Sequence, residues 1–401
     1  MFRLVLSSLI LLPSPSAVMA QGEARYDISY YWDHDPAKAR AHRDAVAAAL
    51  GPGVDARLKV VQSEAGWAVV YRREGDSDGA RLVAETHSKL LMARGLGAAA
   101  PVRSRSWAEA GADGGAAVPD AAAVERVAKV QEGERRALEA LLEERVRDLR
   151  KRGRLAPDER TAWTVYDFTT GEELVSINED LKLQAASLIK PFVALAFLHE
   201  VKSGRKAYEA GDLRRLERMI QHSDNAATNA VMRELGGPAA VAKLLRTAYP
   251  GLAPDLDLVE YIPPGGRTYR NRASARDYSR YLLAMWRGEL PYSEELKRLM
   301  ALPKRDRLYT GARDVPGDTG VLSKTGSTRH LCGDMGVMLA RTEDGREYPY
   351  AVVGLIEKKA PARHYLSWLH SRGDVIREIS GLVYKGIGER HGFSRTQLAA
   401  R

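Results

Sequence analysis

Hydrophobic and polar positions change period in a fixed order along the first hundred residues. Residues 25–33 (RYDISYYWD) alternate at every second position, the period of a half-buried strand. Residues 36–50 (PAKARAHRDAVAAAL) carry a helical pattern that the turn Gly51-Pro52-Gly53 ends. Residues 57–62 (RLKVVQ) and 66–72 (GWAVVYR) read as two strands around a turn. Residues 77–95 read as a second helix, with Leu82, Val83, Leu90, Leu91 and Met92 along one broad stripe. Residues 98–102 (AAAPV) supply a closing strand. Strand-helix-strand-strand-helix-strand is a ferredoxin-like order, expected to form a small α/β domain over residues 22–103.

The pattern then lapses. Residues 104–119 are rich in Ala and Gly, with Gly111, Gly114 and Gly115 close together, and a flexible linker is expected over 104–128. A heavily charged helix follows over 121–152, with Leu138, Leu141, Leu142, Val146 and Leu149 recurring at three- and four-residue steps. Residues 161–168 (TAWTVYDF) and 173–177 (ELVSI) form a strand pair around Thr169-Thr170-Gly171-Glu172. The pattern is mostly helical from Ser187 to about Leu302. Strands return at 320–327, 332–340 and 348–356, and a last helix covers 366–387. Strands at both ends of a helical insert predict an α+β domain over 129–394, with one sheet flanked by helices and an all-α lobe beside it.

Composition changes this picture at three points. Arg3, the apolar run Leu4–Leu12 and the small residues before Gln21 read as a secretory signal over residues 1–20, which predicts an exported, periplasmic or secreted chain. No later run approaches the ~18 apolar residues of a membrane span. The formal charge of +9, or +8 once Arg3 is removed, is scattered and accompanies no nucleic-acid motif. Cys332 is the single cysteine, so it reads as a small buried hydrophobe, and neither a disulfide nor a metal cluster is expected.

Three short motifs carry candidate chemistry. Ser187-Leu188-Ile189-Lys190 places a hydroxyl and an amine on one face of a helix start. A serine nucleophile needs a nearby base, and a partly desolvated lysine can serve as one. Ser223-Asp224-Asn225 interrupts an apolar helical pattern; by itself it equally suits an N-cap. Lys324-Thr325-Gly326 sets a cation, a hydroxyl and an open backbone position on a late strand. Singly, each has an ordinary structural reading.

Their order, S-x-x-K then S-D-N then K-T-G, resembles that of class A β-lactamases and penicillin-binding proteins. The resemblance covers about residues 130–390. It implies a β-lactamase/transpeptidase-like fold and an acyl-serine hydrolase without a cofactor. Ser187 would be the nucleophile, Lys190 its base, and Ser223 the relay to the leaving nitrogen. Asn225 would hold the substrate's amide, and Asp224 would be a buried structural acceptor. Lys324 would supply positive potential and Thr325 a hydroxyl to a substrate carboxylate. Gly326 would admit the substrate backbone, and the N–H groups of Ser187 and Ser327 would form the oxyanion hole. Arg329 and His330 are candidates for a further carboxylate contact. Two departures stand out. Only 36 positions separate Ser187 from Ser223, which suggests an open cleft. Glu260, in LDLVE, is the candidate base for deacylation, yet Pro264 stands where the family's Asn partner is usual, and the alternative is a plain loop glutamate. The resemblance implies a β-lactam as the substrate; the alternative is a D-alanyl-D-alanine carboxypeptidase or other cell-wall amidase with the same serine mechanism, which an open cleft suits. A non-catalytic peptidoglycan-binding protein is a further alternative.

The first hundred residues resemble the sporulation-related repeat (SPOR) domain in element order, in the aromatic first strand and in GWAVVYR. That resemblance implies peptidoglycan glycan as a partner; a generic ferredoxin-like packing module fits the pattern as well.

Overall fold

The computed structural model describes residues 25–63, 66–75, 77–104, 108–110, 116–117, 137–263, 270–342, 347–391 and 393. The expected signal, most of the expected linker, the start of the charged helix and Pro264 lie outside them.

The N-terminal domain forms where the pattern predicts it. Its elements are β1 (Tyr26–Asp33), α1 (Pro36–Leu50), a short α2 (Pro52–Asp55), β2 (Leu58–Ser63), β3 (Gly66–Gly75), α3 (Ser77–Met92) and β4 (Ala100–Arg103). The strands pair antiparallel in the order β4-β1-β3-β2. Ile28 and Tyr30, Leu58, and Val69 and Tyr71 point from the three central strands into one core, which Val46 and Leu50 of α1 and Val83 and Leu91 of α3 complete. Asp35 starts α1 by accepting the Ala37 N–H at 2.8 Å. Met92 departs from the expected stripe and is exposed; it is the last residue of α3, where the helix has run past the sheet.

Part of the expected linker is structured. β5 (Ala108–Ala110) pairs with β2, and β6 (Ala116–Ala117) pairs with β5. Without β5, the outer edge of β2 would present unpaired N–H and C=O groups. Ala and Gly content signalled flexibility, but edge pairing is made by the backbone and needs little from side chains.

The larger domain begins with α4 (residues 137–151). Leu138, Leu142, Val146 and Leu149 are buried along one stripe, while Leu141 of the expected set faces out. Next come β7 (Glu159–Asp167), β8 (Glu172–Ile177) and β9 (Leu183–Gln184). The helical lobe is α5 (Lys190–Lys202), α6 (Ala210–Gln221), α7 (Asn225–Glu234) and α8 (Pro238–Ala248). After the short β10 (Arg272–Ala273) come α9 (Ala275–Arg287) and α10 (Ser293–Ala301). β11 (Gly320–Ser327), β12 (Leu331–Arg341), β13 (Glu347–Lys358) and α11 (Tyr365–His391) complete the domain. The antiparallel sheet runs β11-β12-β13-β7-β8, so both halves of the domain share one sheet, as expected. One of its faces packs on the helical lobe around the wholly buried apolar run Phe192–Leu198 of α5. The other packs on α4 and α11, and Cys332 is buried there as a small hydrophobe. Among the described residues no helix is long and apolar enough to cross a membrane.

The two domains are not merely tethered. The β7–β8 turn inserts into the N-terminal domain. The Thr169 carbonyl meets His87, which also bonds Tyr30 at 2.5 Å. The Thr170 carbonyl accepts from the Tyr71 hydroxyl at 3.2 Å. Glu172 pairs with Arg57 of the N-terminal domain and with Arg390 near the end of α11. Leu82 of α3 is buried in the core of the larger domain. Glu172 and both of its arginines are at least four-fifths buried. Glu172→Ala leaves two guanidinium groups uncompensated, so it should cost about 2 kcal/mol or more in urea unfolding. It should also free the β7–β8 turn from the N-terminal domain and speed limited proteolysis of the protein; unchanged stability and digestion would show that the docking contributes nothing.

Candidate active site

The turn that carries Ser187 is set by short-range geometry. After β9, Ala185 donates its N–H to the Asn271 carbonyl at 2.9 Å, and Ala186 takes a positive φ of 45°. Residues Ala186–Ile189 then form one 3₁₀ turn before α5 begins at Lys190-Pro191. Side chains three apart eclipse in a 3₁₀ turn, which puts Ser187 and Lys190 on one side. Ser187 is half-buried, whereas Lys190 is fully buried.

Lys190 meets the second motif. Its Nζ donates to the Ser223 carbonyl at 2.5 Å, to Ser223 Oγ at 3.1 Å and to Asn225 Oδ1 at 2.9 Å. Ser223 is held in the left-handed region at φ 56°, a conformation costly for a residue with a Cβ and usually over-determined by its surroundings. Here Asp224 fixes it. Asp224 caps α7 by accepting the Ala227 N–H at 2.9 Å, and it accepts from Arg218 Nε at 2.9 Å. Asp224 is thus the expected structural acceptor, but it lies half-buried beside an exposed arginine rather than enclosed.

Lys324 arrives from β11, fully buried, and donates to the same Ser223 Oγ at 3.1 Å and to the Thr325 carbonyl at 2.8 Å. Ser223 Oγ therefore accepts from two amines, which leaves its own proton available to a third partner. Burial lowers the Lys190 amine to about 7, with Asp224 opposing the shift. Burial, and then the charge of Lys190, push Lys324 down as well. At neutral pH a substantial fraction of Lys190 is the free amine, the form a general base requires.

Gly326 serves a different neighbour from the one expected. A Cβ there would stand 2.7 Å from Leu188 Cγ and 3.3 Å from the Ala185 carbonyl, so the bare position admits the turn that carries Ser187 against β11. Thr325 and Ser327 are half-exposed at the end of β11. Arg329 is turned away: its guanidinium donates to the Ala362 carbonyl at 2.8 and 3.2 Å, and His330 Nδ1 meets the Lys358 carbonyl at 3.1 Å. The two side chains tie the β11–β12 turn to the end of β13 and to the segment after it.

Glu260 is likewise engaged in loop structure. Its Oε1 accepts the Arg270 N–H at 2.9 Å, across the neck of the loop between them. Asn271 closes that neck, accepting from the N–H groups of Val259 and Glu260 and donating to the Glu260 carbonyl. Asn229 of α7 clasps the same loop through the N–H and carbonyl of Ile262 at 2.9 and 2.6 Å. Asn229 was not singled out from the sequence, although it stands four residues after Asn225 in the motif helix. Thr328 was also missed. Its hydroxyl bonds Gln184 Oε1 at 2.9 Å, and the Gln184 N–H bonds Glu357 Oε1 at 2.8 Å, linking the end of β11 to the strand that leads into Ser187.

The profile of the beta-lactamase enzyme family matches residues 141–211 and 206–387. No curated protein matches the chain. Among solved structures, PBP-A is 22% identical with a TM-score of 0.50, over 64% of this chain and 96% of that one. A variant of the last common ancestor of Gram-negative class A β-lactamases is 21% identical, with a TM-score of 0.49, over 63% of this chain and 99% of its own. At such identity the likeness to PBP-A speaks for the fold.

The contact at Gly326 yields a direct test. Gly326→Val should force Leu188 and the Ala185 carbonyl away from β11, displace the turn that carries Ser187 and lower the acylation rate of the enzyme about tenfold or more, since misplacement of a reacting group is expensive. Stopped-flow acylation beside circular dichroism checks this; a variant that acylates at the parent rate would contradict the packing described.

Proposed function

The chain belongs to the β-lactamase enzyme family and is a serine hydrolase, and on that premise we propose that Ser187 is acylated by D-alanyl amides and by β-lactams, and that its β-lactam adducts clear slowly. The enzyme would then act as a cell-wall peptidase of the penicillin-binding kind rather than as a rapid β-lactamase. The reading rests on the Glu260 carboxylate, which accepts the Arg270 N–H in the neck of its own loop and is thereby drawn into loop closure rather than water activation.

The acylation half follows from the lysine pair. Lys190 as the free amine takes the Ser187 proton, and Ser187 Oγ adds to the amide carbonyl. The oxyanion is received by the N–H groups of Ser187 and Ser327. Collapse expels the amine, which takes the Ser223 proton while Ser223 takes from Lys190 the proton that came from Ser187, so that Lys190 returns to the free amine; the Lys190 Nζ–Ser223 Oγ hydrogen bond supplies the path. Lys324 and Thr325 hold the substrate carboxylate, and Asn225 holds the amide of its side chain. Water later releases the acyl group, with Lys190 as the remaining base. The proposal extends to export through the N-terminal signal. It also assigns the docked N-terminal domain to the cell-wall glycan, where exposed Trp32 offers an aromatic surface to a sugar ring.

Intact-protein mass spectrometry after mixing with benzylpenicillin tests the reading. The parent should carry a covalent adduct that persists for hours, Ser187→Ala should carry none, and Glu260→Ala should lose its adduct no more slowly than the parent. A short-lived adduct that Glu260→Ala prolongs would restore the β-lactamase assignment. Absence of any adduct on the parent would favour a non-catalytic glycan-binding protein.

A further inference from the structure

The two N–H groups assigned to the oxyanion come from chain segments 140 positions apart, yet both must reach one oxygen. Ser187 lies in the first turn leading into α5, where N–H groups have no partner within the helix. Ser327 ends β11, the edge strand of the sheet. The Thr328 N–H donates to the Leu331 carbonyl at 2.9 Å. Bonding alternates along an antiparallel pair, so the adjoining Ser327–Cys332 pair is an unbonded one. The Ser327 N–H therefore points off the open edge of the sheet rather than toward β12.

A side-chain hydrogen bond joins the two segments. Thr328 Oγ1 donates to Gln184 Oε1 at 2.9 Å, and both residues are buried. The partners leave one orientation. Thr328 Oγ1 already accepts the N–H groups of His330 and Leu331, each at 3.0 Å, so its single proton goes to Gln184. Gln184 must then present its oxygen, not its amide nitrogen. Its backbone is pinned as well, through the N–H bond to Glu357 Oε1 at 2.8 Å and through pairing with Arg272 of β10. Glu357 is buried and paired with Arg160 on the neighbouring β7.

Thr328 follows Ser327 directly, and Gln184 precedes Ser187 by three residues. The contact of Gly326 with Leu188 and the Ala185 carbonyl sets how closely the segments approach. Apolar contact does not fix where along β11 the turn comes to rest. A hydrogen bond is directional and supplies that second coordinate.

We propose that the Thr328–Gln184 hydrogen bond sets the spacing of the oxyanion hole. Thr328 and Gln184 are then positioning residues that act through the N–H groups of Ser327 and Ser187. This rests on the reading of Ser187 as the nucleophile and of those two N–H groups as the oxyanion hole. Without the bond the two donors drift apart, which weakens their grip on the tetrahedral oxygen more than it weakens ground-state binding. Deleting one oxyanion donor outright slows such enzymes by about 10²–10³. Loosening one should slow acylation about tenfold.

The test is infrared spectroscopy of the benzylpenicillin adduct, isotopically labelled at the acyl carbonyl, beside stopped-flow acylation. Hydrogen bonds to a carbonyl oxygen lower its stretching frequency, so the parent adduct should absorb below the same adduct unfolded in urea. Gln184→Met keeps the size of the side chain and removes the acceptor. It should raise the frequency toward the unfolded value and slow the acylation step about tenfold, with the affinity of the preceding complex within about twofold of the parent's. Thr328→Val should do the same, and Thr328→Ser, which keeps the hydroxyl, should match the parent. Gln184→Met combined with Thr328→Val should cost no more than the worse single change, because both remove one bond.

Gln184→Met leaves the bonds from His330 and Leu331 to Thr328 in place, so it separates the proposal from a role in the turn alone. A parent frequency retained in Gln184→Met would overturn the proposal, whether or not acylation slows and whether or not Thr328→Val folds. A parent adduct that absorbs at the unfolded value would overturn the oxyanion assignment, and the proposal with it. A parent that forms no adduct would overturn the nucleophile first.

Discussion

Two buried lysines donate to a single serine hydroxyl, and the geometry of the cleft is organised around that arrangement. Enclosing two like charges is unfavourable twice over, through lost hydration and through mutual repulsion. The protein offsets this with fixed acceptors. Lys190 has the carbonyl and hydroxyl of Ser223 and the Asn225 amide, and Lys324 has the same hydroxyl and the Thr325 carbonyl. The remaining imbalance shows as lowered proton affinity, which gives Lys190 the free-amine form that a base needs. Ser223 can occupy the shared position because its backbone is held in the left-handed region, and the Asp224 cap with Arg218 holds it there.

The surrounding elements keep the three chain segments of this arrangement in register. Bare Gly326 lets the Ser187 turn lie directly on β11. Thr328, Gln184 and Glu357 connect the end of that strand, the approach to Ser187 and β13. Asn271 joins the same approach to the loop of Glu260 through its backbone carbonyl and its side chain. At the other end of the sheet, Glu172 and the β7–β8 turn fasten the N-terminal domain onto the catalytic domain, so that domain forms part of the scaffold.

The sequence carried the architecture well where period and chemistry agreed. The ferredoxin-like order, the split sheet and the helical lobe were legible because alternation and helical spacing report directly on burial. The convergence of Lys190, Asn225 and Lys324 on Ser223 was legible only from the order of the motifs, because each motif alone is also a cap or a polar rim. The less legible features depend on where side chains turn in three dimensions. Arg329 was read as a carboxylate ligand, yet two nearby carbonyls draw its guanidinium away. Gly326 was assigned to substrate, but its space is taken by Leu188. Glu260 has the position of a base within LDLVE, while its carboxylate goes to the Arg270 N–H. β5 and β6 were hidden because backbone pairing leaves little trace in an Ala-rich segment.

The central claim is that burial beside Ser223 makes Lys190 the base for Ser187. The most direct measurement is a side-chain NMR titration of isotopically labelled lysine in the substrate-free protein, with the Lys190 signal assigned from Lys190→Arg. The account predicts a midpoint of about 7 for Lys190. A midpoint near the ordinary 10.5 would contradict it, because Lys190 would then be an ammonium throughout the neutral range and could not take the Ser187 proton.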